Sequence, residues 1–118
     1  MITLYGIPHC DTVKKARHWL DSQGLAYRFH DFRKAGVPAD RLRHWIEVLG
    51  WETVINRKGT TWRGLDEQTR AGVTDASAAQ ALALEHGSLI KRPVVEWDEE
   101  HGGGITAGFD AGAWSARL

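Results

Sequence analysis

A single cysteine stands where an apolar run gives way to a helical pattern. Cys10 is the only cysteine among the 118 residues, and it follows the run "ITLY" and the turn "GIPH". Unpaired N–H groups and the dipole at a helix start stabilise a thiolate. Lys14 and Lys15 add positive potential one turn on, whereas Asp11 opposes it. We therefore interpret Cys10 as a nucleophilic thiol; the alternative is a buried cysteine that acts as a small apolar side chain.

Two arginines are candidate anion ligands. Arg92 precedes Pro93 at the entry to a predicted strand, and Arg57 lies among small and hydroxyl residues in "INRKGTTWR". A guanidinium fork combined with hydroxyl and backbone donors binds oxyanions. For Arg57, the stretch by itself favours the alternative, a solvated loop. About 94–95% of X–Pro bonds in folded proteins are trans, so the residues alone do not predict a cis bond before Pro93.

Composition argues against several classes of protein. Fifteen basic and fifteen acidic residues give a formal net charge of zero. With no basic stripe that carries interleaved aromatic residues, we expect neither a nucleic acid nor an anionic membrane as a direct partner. The six histidines lack the spacing of a metal site, and no glycine-rich phosphate loop is present. We therefore expect no metal and no bound cofactor.

The expected location is the cytoplasm. Residues 1–5 resemble a strand rather than a signal peptide. No segment approaches the roughly 18–20 apolar residues that a membrane-spanning helix requires. A lone cysteine cannot form an internal disulfide, which fits a reducing compartment.

The first third of the chain predicts a strand, a helix and a second strand. Residues 2–5 form a short apolar run, residues 11–23 have helical spacing before Gly24, and residues 26–32 alternate. Two strands that flank a helix indicate a parallel βαβ unit with a right-handed crossover.

The remaining elements predict helices followed by a hairpin. Residues 33–37 are predicted to form a loop, Pro38 opens a helix that Gly50 ends, and residues 54–63 are polar and irregular. Further predicted elements are a weak helix over 65–70, a helix over 76–85, a strand over 94–97, a hairpin loop over 98–104, a return strand over 105–108 and a short helix over 110–116. This order predicts an α/β fold with a mixed sheet and helices on its faces.

Four stretches together resemble one known family. They are "YGIPHCDTVKKARHWL", "NRKGTTWRGLDE", "LIKRPVV" and "AGFD", and they span about residues 3–110. In order and approximate spacing they are similar to the arsenate reductase (ArsC)/Spx family. The similarity is closest to the YffB-type members, for which glutathione-dependent thiol reduction is the implied activity.

The resemblance implies a fold and a set of site residues. The fold is one thioredoxin-like domain over residues 1–118, with a helical insertion at about 36–88. Cys10 is implied as the nucleophile, with Thr12 and Lys14 beside it. Arg92 is implied before a cis proline, Pro93, pointing at the active site. Arg57 would match the family's other anion-binding arginine.

The resemblance also implies how the reaction is completed. Because there is no second cysteine, an external thiol must resolve the oxidised Cys10, and glutathione or a glutaredoxin is the expected partner. The substrate would be a small oxyanion or a disulfide. Two departures bear on this: "GITAGFD" lacks the third arginine of arsenate reductases, and Val13 occupies the second cysteine position of the Spx C-x-x-C switch. The alternatives are arsenate reduction proper, an Spx-like regulator that binds RNA polymerase, and a stable domain with a vestigial thiol.

Overall fold

Four strands form one mixed sheet in the order β2–β1–β3–β4. The computed structural model describes all of residues 1–118. The strands are β1 (Ile2–Gly6), β2 (Tyr27–Asp31), β3 (Val94–Glu96) and β4 (Ile105–Ala107). β1 pairs with β2 in parallel, whereas β1 with β3 and β3 with β4 are antiparallel. The predicted parallel βαβ unit, the hairpin and the mixed sheet are confirmed.

The chain divides into two compact units. The sheet unit comprises Met1–Gly36 and Arg92–Leu118, and the inserted unit comprises Val37–Lys91. The insertion was predicted at about 36–88, so its observed end lies a few residues later. That residues 1–118 act as one domain stays a prediction. No helix has the length and apolar character needed to cross a bilayer.

Helix α1 (Asp11–Ser22) covers one face of the sheet. Its fully buried side chains, Val13, Ala16 and Leu20, recur at helical spacing. They pack in one cluster with strand residues such as Leu4 and Val95. Truncating a buried leucine such as Leu20 to alanine costs about 2–5 kcal/mol, so this cluster holds α1 firmly against the sheet.

Trp114 anchors the C-terminal helix α8 (Ala111–Ser115) to the same cluster. Its ring makes edge-to-face contacts with Phe109, Trp97 and Trp19, at centroid distances of 4.8, 5.0 and 5.6 Å. Such contacts add about 0.5–1.5 kcal/mol each beyond the area buried. Several of the six tryptophans therefore serve the core.

The β3–β4 hairpin is closed by a capped turn. The Asp98 carboxylate accepts hydrogen bonds from the His101 backbone N–H and, at 2.6 Å, the His101 ring. Gly102, Gly103 and Gly104 follow with positive φ. A residue with a Cβ is strained in that conformation, which accounts for the three consecutive glycines.

The inserted unit is built from short helices. They are α3 (Ala39–Leu49), α4 (Trp51–Val54), α5 (Thr60–Gly64), α6 (Glu67–Ala71) and α7 (Ala76–Glu85), followed by a 3-10 turn at Gly87–Leu89. α3, α4 and α7 contact one another. Trp45 and Leu42 of α3 are completely buried. The predicted helices over α3 and α7 are confirmed.

Three predictions from the sequence are wrong in detail. Residues 33–37 contain α2 (Phe32–Ala35), because the Asp31 carboxylate accepts from the Arg33 N–H and caps one turn. Residues 54–63 include the end of α4 and most of α5. The weak helix over 65–70 is shifted to α6. One-turn helices are too short to show an apolar period, so the sequence pattern did not reveal them.

Candidate active site

Cys10 occupies the N-cap position of α1. Its backbone is extended (φ −81°, ψ 126°), and its carbonyl accepts from the Lys14 N–H at 2.9 Å. The side chain makes no capping hydrogen bond. Half-buried, it packs against the apolar cluster beneath α1. The N–H groups in the first turn of α1 follow this position and have no partner within the helix.

Gly6 allows the tight turn from β1 into the cysteine loop. A Cβ on Gly6 would lie 2.8 Å from Cγ2 of Val13, far inside van der Waals contact. Val13 is completely buried and β-branched, so it cannot turn away easily. The end of β1 and the first turn of α1 are therefore held together closely. Sequence reasoning treated Gly6 only as a loop residue, because its contact depends on packing between elements.

Arg92 and Pro93 lead into β3 at the end of the sheet where the chain leaves β1 and enters the cysteine loop. Tyr5, near the carboxyl end of β1, pairs with Val94, the first residue of β3. The peptide bond between Arg92 and Pro93 is cis, where the residues alone had favoured trans and the resemblance had implied cis. The Gly108 N–H donates to the Pro93 carbonyl at 2.9 Å, and this bond holds the residue after β4 at the same end of the sheet.

Arg92 is half-buried, whereas Thr12 and Lys14 are exposed in the first turn of α1. Arg92 makes no salt bridge. The topology thus brings Cys10, Thr12, Lys14, Arg92 and Pro93 to one end of the sheet unit. A thiol, a guanidinium and an ammonium at one end suit the reaction of a thiolate with an anionic substrate.

Arg57 belongs to the inserted unit, between α4 and α5. Its guanidinium carbon lies 5.4 Å from the centre of the Trp51 ring, a cation–π contact that orients the exposed side chain. The sequence offered a solvated loop as the alternative. The structure places Arg57 in an exposed turn, in which the Asn56 side chain accepts from the Lys58 N–H, so both interpretations of Arg57 stay predictions.

Phe109 is a second residue that sequence reasoning did not single out. It follows Gly108 at the end of the sheet that carries the cysteine loop. Its ring packs against the apolar cluster that Cys10 also contacts. It belongs to the stretch "AGFD", but nothing in that stretch predicts a contact with the Trp114 ring. No group of three or more His, Cys, Asp or Glu side chains is arranged to hold a metal ion.

A mixed sheet flanked by helices, with a cysteine at the start of the first helix, is typical of a thioredoxin-like protein. The chain belongs to the ArsC family, whose sequence profile matches residues 5–116. A solved structure named YFFB protein is 46% identical, has a TM-score of 0.89, and matches 100% of this chain and 99% of its own. The predicted family and thioredoxin-like fold are thereby confirmed.

Two curated relatives show the range of the family. An uncharacterized protein of Haemophilus influenzae is 42% identical over 98 residues, which cover 83% of this chain and 85% of the relative. The global transcriptional regulator Spx of Streptococcus mutans is 25% identical over 99 residues, covering 80% of this chain and 69% of the relative. Proteins with the fold also include arsenate reductases, which are oxidoreductases.

Proposed function

We propose that this protein is a thiol-dependent oxidoreductase in which Cys10 is the nucleophile. The observation that carries the proposal is the placement of the sole cysteine as the N-cap of α1, with no side-chain capping bond. A buried structural cysteine would not need that position. Membership of the ArsC family supports the same reaction class.

The proposed cycle consists of two thiol–disulfide exchanges. The Cys10 thiolate attacks one sulfur of a substrate disulfide, so that a mixed disulfide forms and the other substrate thiolate leaves. An external thiolate then attacks the substrate sulfur of the mixed disulfide, which releases Cys10 as thiolate and forms a new disulfide. The external thiol carries away the oxidising equivalents, because no second cysteine can resolve Cys10.

Glutathione is the proposed external thiol, either directly or through a glutaredoxin. Arg92 would bind a carboxylate of glutathione or an oxyanion substrate, and Arg57 is proposed as a second anion ligand. Thr12 and Lys14 would act beside the thiolate, and Pro93 would shape the adjoining surface. The reaction requires a reducing compartment, so we propose the cytoplasm.

The test is to detect the mixed disulfide and its resolution. We expect intact-mass spectrometry to find one glutathionyl adduct after exposure to oxidised glutathione, located at Cys10 and removed by reduced glutathione. Cys10→Ser should form no adduct and lose turnover of a glutathionylated peptide, with an unchanged melting temperature. Full turnover by Cys10→Ser would show that the proposed mechanism is wrong.

Arsenate reduction is a second candidate, favoured by the arsenate reductases that share the fold. The same assay with arsenate in place of the peptide separates the two. Glutathione-dependent formation of arsenite would support arsenate reduction. The absence of an arginine from "GITAGFD" favours the disulfide substrate.

A regulatory role is a third candidate, because one relative is the transcriptional regulator Spx. Such a role would require binding to RNA polymerase. Val13 stands where an Spx-type switch has its second cysteine, so a redox-controlled interaction cannot use an internal disulfide. Binding to purified polymerase that is insensitive to Cys10→Ser would favour this role over the enzyme.

A further inference from the structure

A groove of about 290 Å³ in the inserted unit is lined by three cationic side chains. They are Arg57, Lys58 and Lys91, and they share the groove with a single acidic side chain, Glu52. We propose that this groove binds the α-amino-acid end of a small ligand. The ligand's carboxylate would be bound by Lys58 and Lys91, and its ammonium by Glu52.

The backbone beneath the groove is held by an isolated β-bridge and the hydrogen bonds beside it. Ile55 and Ile90 form an antiparallel bridge and are almost completely buried. On either side, the Asn56 N–H donates to the Leu89 carbonyl at 2.7 Å, and the Lys91 N–H donates to the Val54 carbonyl at 2.8 Å. Lys91, which is distant in sequence, is thereby held beside the segment that leads to Lys58.

A tight turn positions the other side of the groove. The Asn56 Oδ1 atom accepts from the Lys58 N–H at 3.2 Å. A Cβ on Gly59 would lie 2.8 Å from the Asn56 Nδ2 atom, so glycine leaves room for the Asn56 side chain in its present position. The backbone of the groove is therefore formed before a ligand binds, which lowers the entropy cost of binding.

The cations of the groove lack acidic partners. Arg57 stacks on Trp51, but none of Arg57, Lys58 and Lys91 makes a salt bridge. Three positive charges against one negative charge attract an anion. Glu52 disfavours a purely anionic ligand and favours one that also carries an ammonium group, which is the pattern of an amino acid.

The volume limits the size of the bound group. About 300 Å³ is the lower bound for small-molecule pockets, so the groove suits one end of a small ligand. The γ-glutamyl end of glutathione has the required ammonium and carboxylate, and this choice rests on the proposed function. Free glutamate has the same chemistry, so it provides a second arm of the test.

The experiment measures binding by NMR and needs no turnover. S-methylglutathione, which has no reactive thiol, is titrated into the full chain, with L-glutamate and inorganic phosphate as parallel ligands. We expect amide shifts at residues 52–58 and at Lys91. Exposed ion pairs are individually weak, so Lys58→Gln/Lys91→Gln should raise the Kd for S-methylglutathione about three- to tenfold. The exposed Lys34, outside the groove, supplies the matched control Lys34→Gln.

Glu52→Gln tests the assignment of the ligand. It should raise the Kd for S-methylglutathione and L-glutamate, because the ammonium loses its partner, and lower the Kd for phosphate, because a repulsive charge is removed. Shifts elsewhere, equal effects of the double variant and Lys34→Gln, or tighter binding of all three ligands to Glu52→Gln would overturn the proposal. Binding without any thiol turnover would overturn the proposed function alone, whereas turnover without groove binding would overturn this inference alone.

Discussion

The two ends of the sheet differ in whether their polar side chains have bonding partners within the protein. At the hairpin end, formed by Asp98–Gly104 and Arg117, three polar side chains are bonded within the protein: Asp98, His101 and Arg117. Arg117 donates to the carbonyls of His101 and Gly103 at 3.0 and 2.8 Å, and its guanidinium stacks 4.7 Å from the Trp97 ring. Asp98 caps the turn and accepts from His101.

At the cysteine end, formed by Gly6–Cys10 and Arg92–Pro93, the polar side chains are not paired. Cys10 makes no capping bond, and Arg92 makes no salt bridge although it is half-buried. Neither side chain is fully buried, so water can solvate both, and both stay available to a ligand. On the proposed function, the hairpin end serves stability and the cysteine end serves binding and reaction.

Among changes that compare the two ends and leave the thiol in place, removing the charge of Arg92 should have the largest effect. Arg92→Gln should lower kcat/KM for an anionic thiol-reductase substrate about ten- to a hundredfold, the value of one or two charge-assisted hydrogen bonds. The free energy of unfolding should change little, because no internal partner is lost. Steady-state kinetics and urea denaturation on the same preparation measure both, and a large loss of stability with normal kinetics would reverse the assignment of the two ends.

The close contact between β1 and α1 gives the next largest effect. Gly6→Ala should lower the free energy of unfolding by about 1–3 kcal/mol, because its Cβ overpacks against Val13. A double-mutant cycle with Val13→Ala checks the cause. The two changes together should cost less than the sum of the single changes; strict additivity would mean that Gly6 acts in another way.

Arg117→Gln is the matched partner of Arg92→Gln at the hairpin end. It should lower the free energy of unfolding by about 1–3 kcal/mol, since two hydrogen bonds from a charged donor and a cation–π contact are weakened. At a temperature where the variant is folded, kcat/KM should equal that of the parent protein. A selective loss of activity in this variant would remove the distinction between the ends.

The smallest effect concerns the pH dependence of the hairpin turn. The side-chain hydrogen bond with His101 is the main cause that holds the pKa of Asp98 below its usual value. A lowered pKa adds stability above the ordinary aspartate pKa of about 3.9, and this stability is lost as pH falls through the lower folded value. Asp98→Asn should therefore be less stable than the parent at neutral pH, with a difference that shrinks in acid. A difference independent of pH in denaturant titrations would contradict this cause.

Sequence periodicity predicted the long elements well. Helix α1 was predicted within one residue of its observed bounds, because Val13, Ala16 and Leu20 mark one face and Gly24 lies just beyond its end. The one-turn helix α2 was not predicted. Its single signal is the capping by Asp31, which cannot be distinguished from an ordinary turn without the structure.

Residue type and position predicted Cys10 as the nucleophile, and this role stays a prediction. The packing that holds its loop in place is visible only in the structure. The resemblance directed attention to Arg92 and Arg57, and the roles of these residues stay predictions. Gly6 depends on a distance to Val13, and Arg117 depends on carbonyls that the chain brings together only when folded. Contacts between distant segments have no local pattern, so the sequence alone could not indicate them.

The pairing of β1 with β3 has a consequence for how the protein forms during synthesis. Tyr5 and Glu96, which bond across these strands, are 91 positions apart. The N-terminal βαβ segment is complete long before β3 emerges, and until then one edge of β1 has no strand to pair with. An unpaired apolar edge is a template for wrong association between chains. We therefore expect the nascent chain to be prone to aggregation while the inserted unit is being translated, until Val94–Glu96 leave the ribosome.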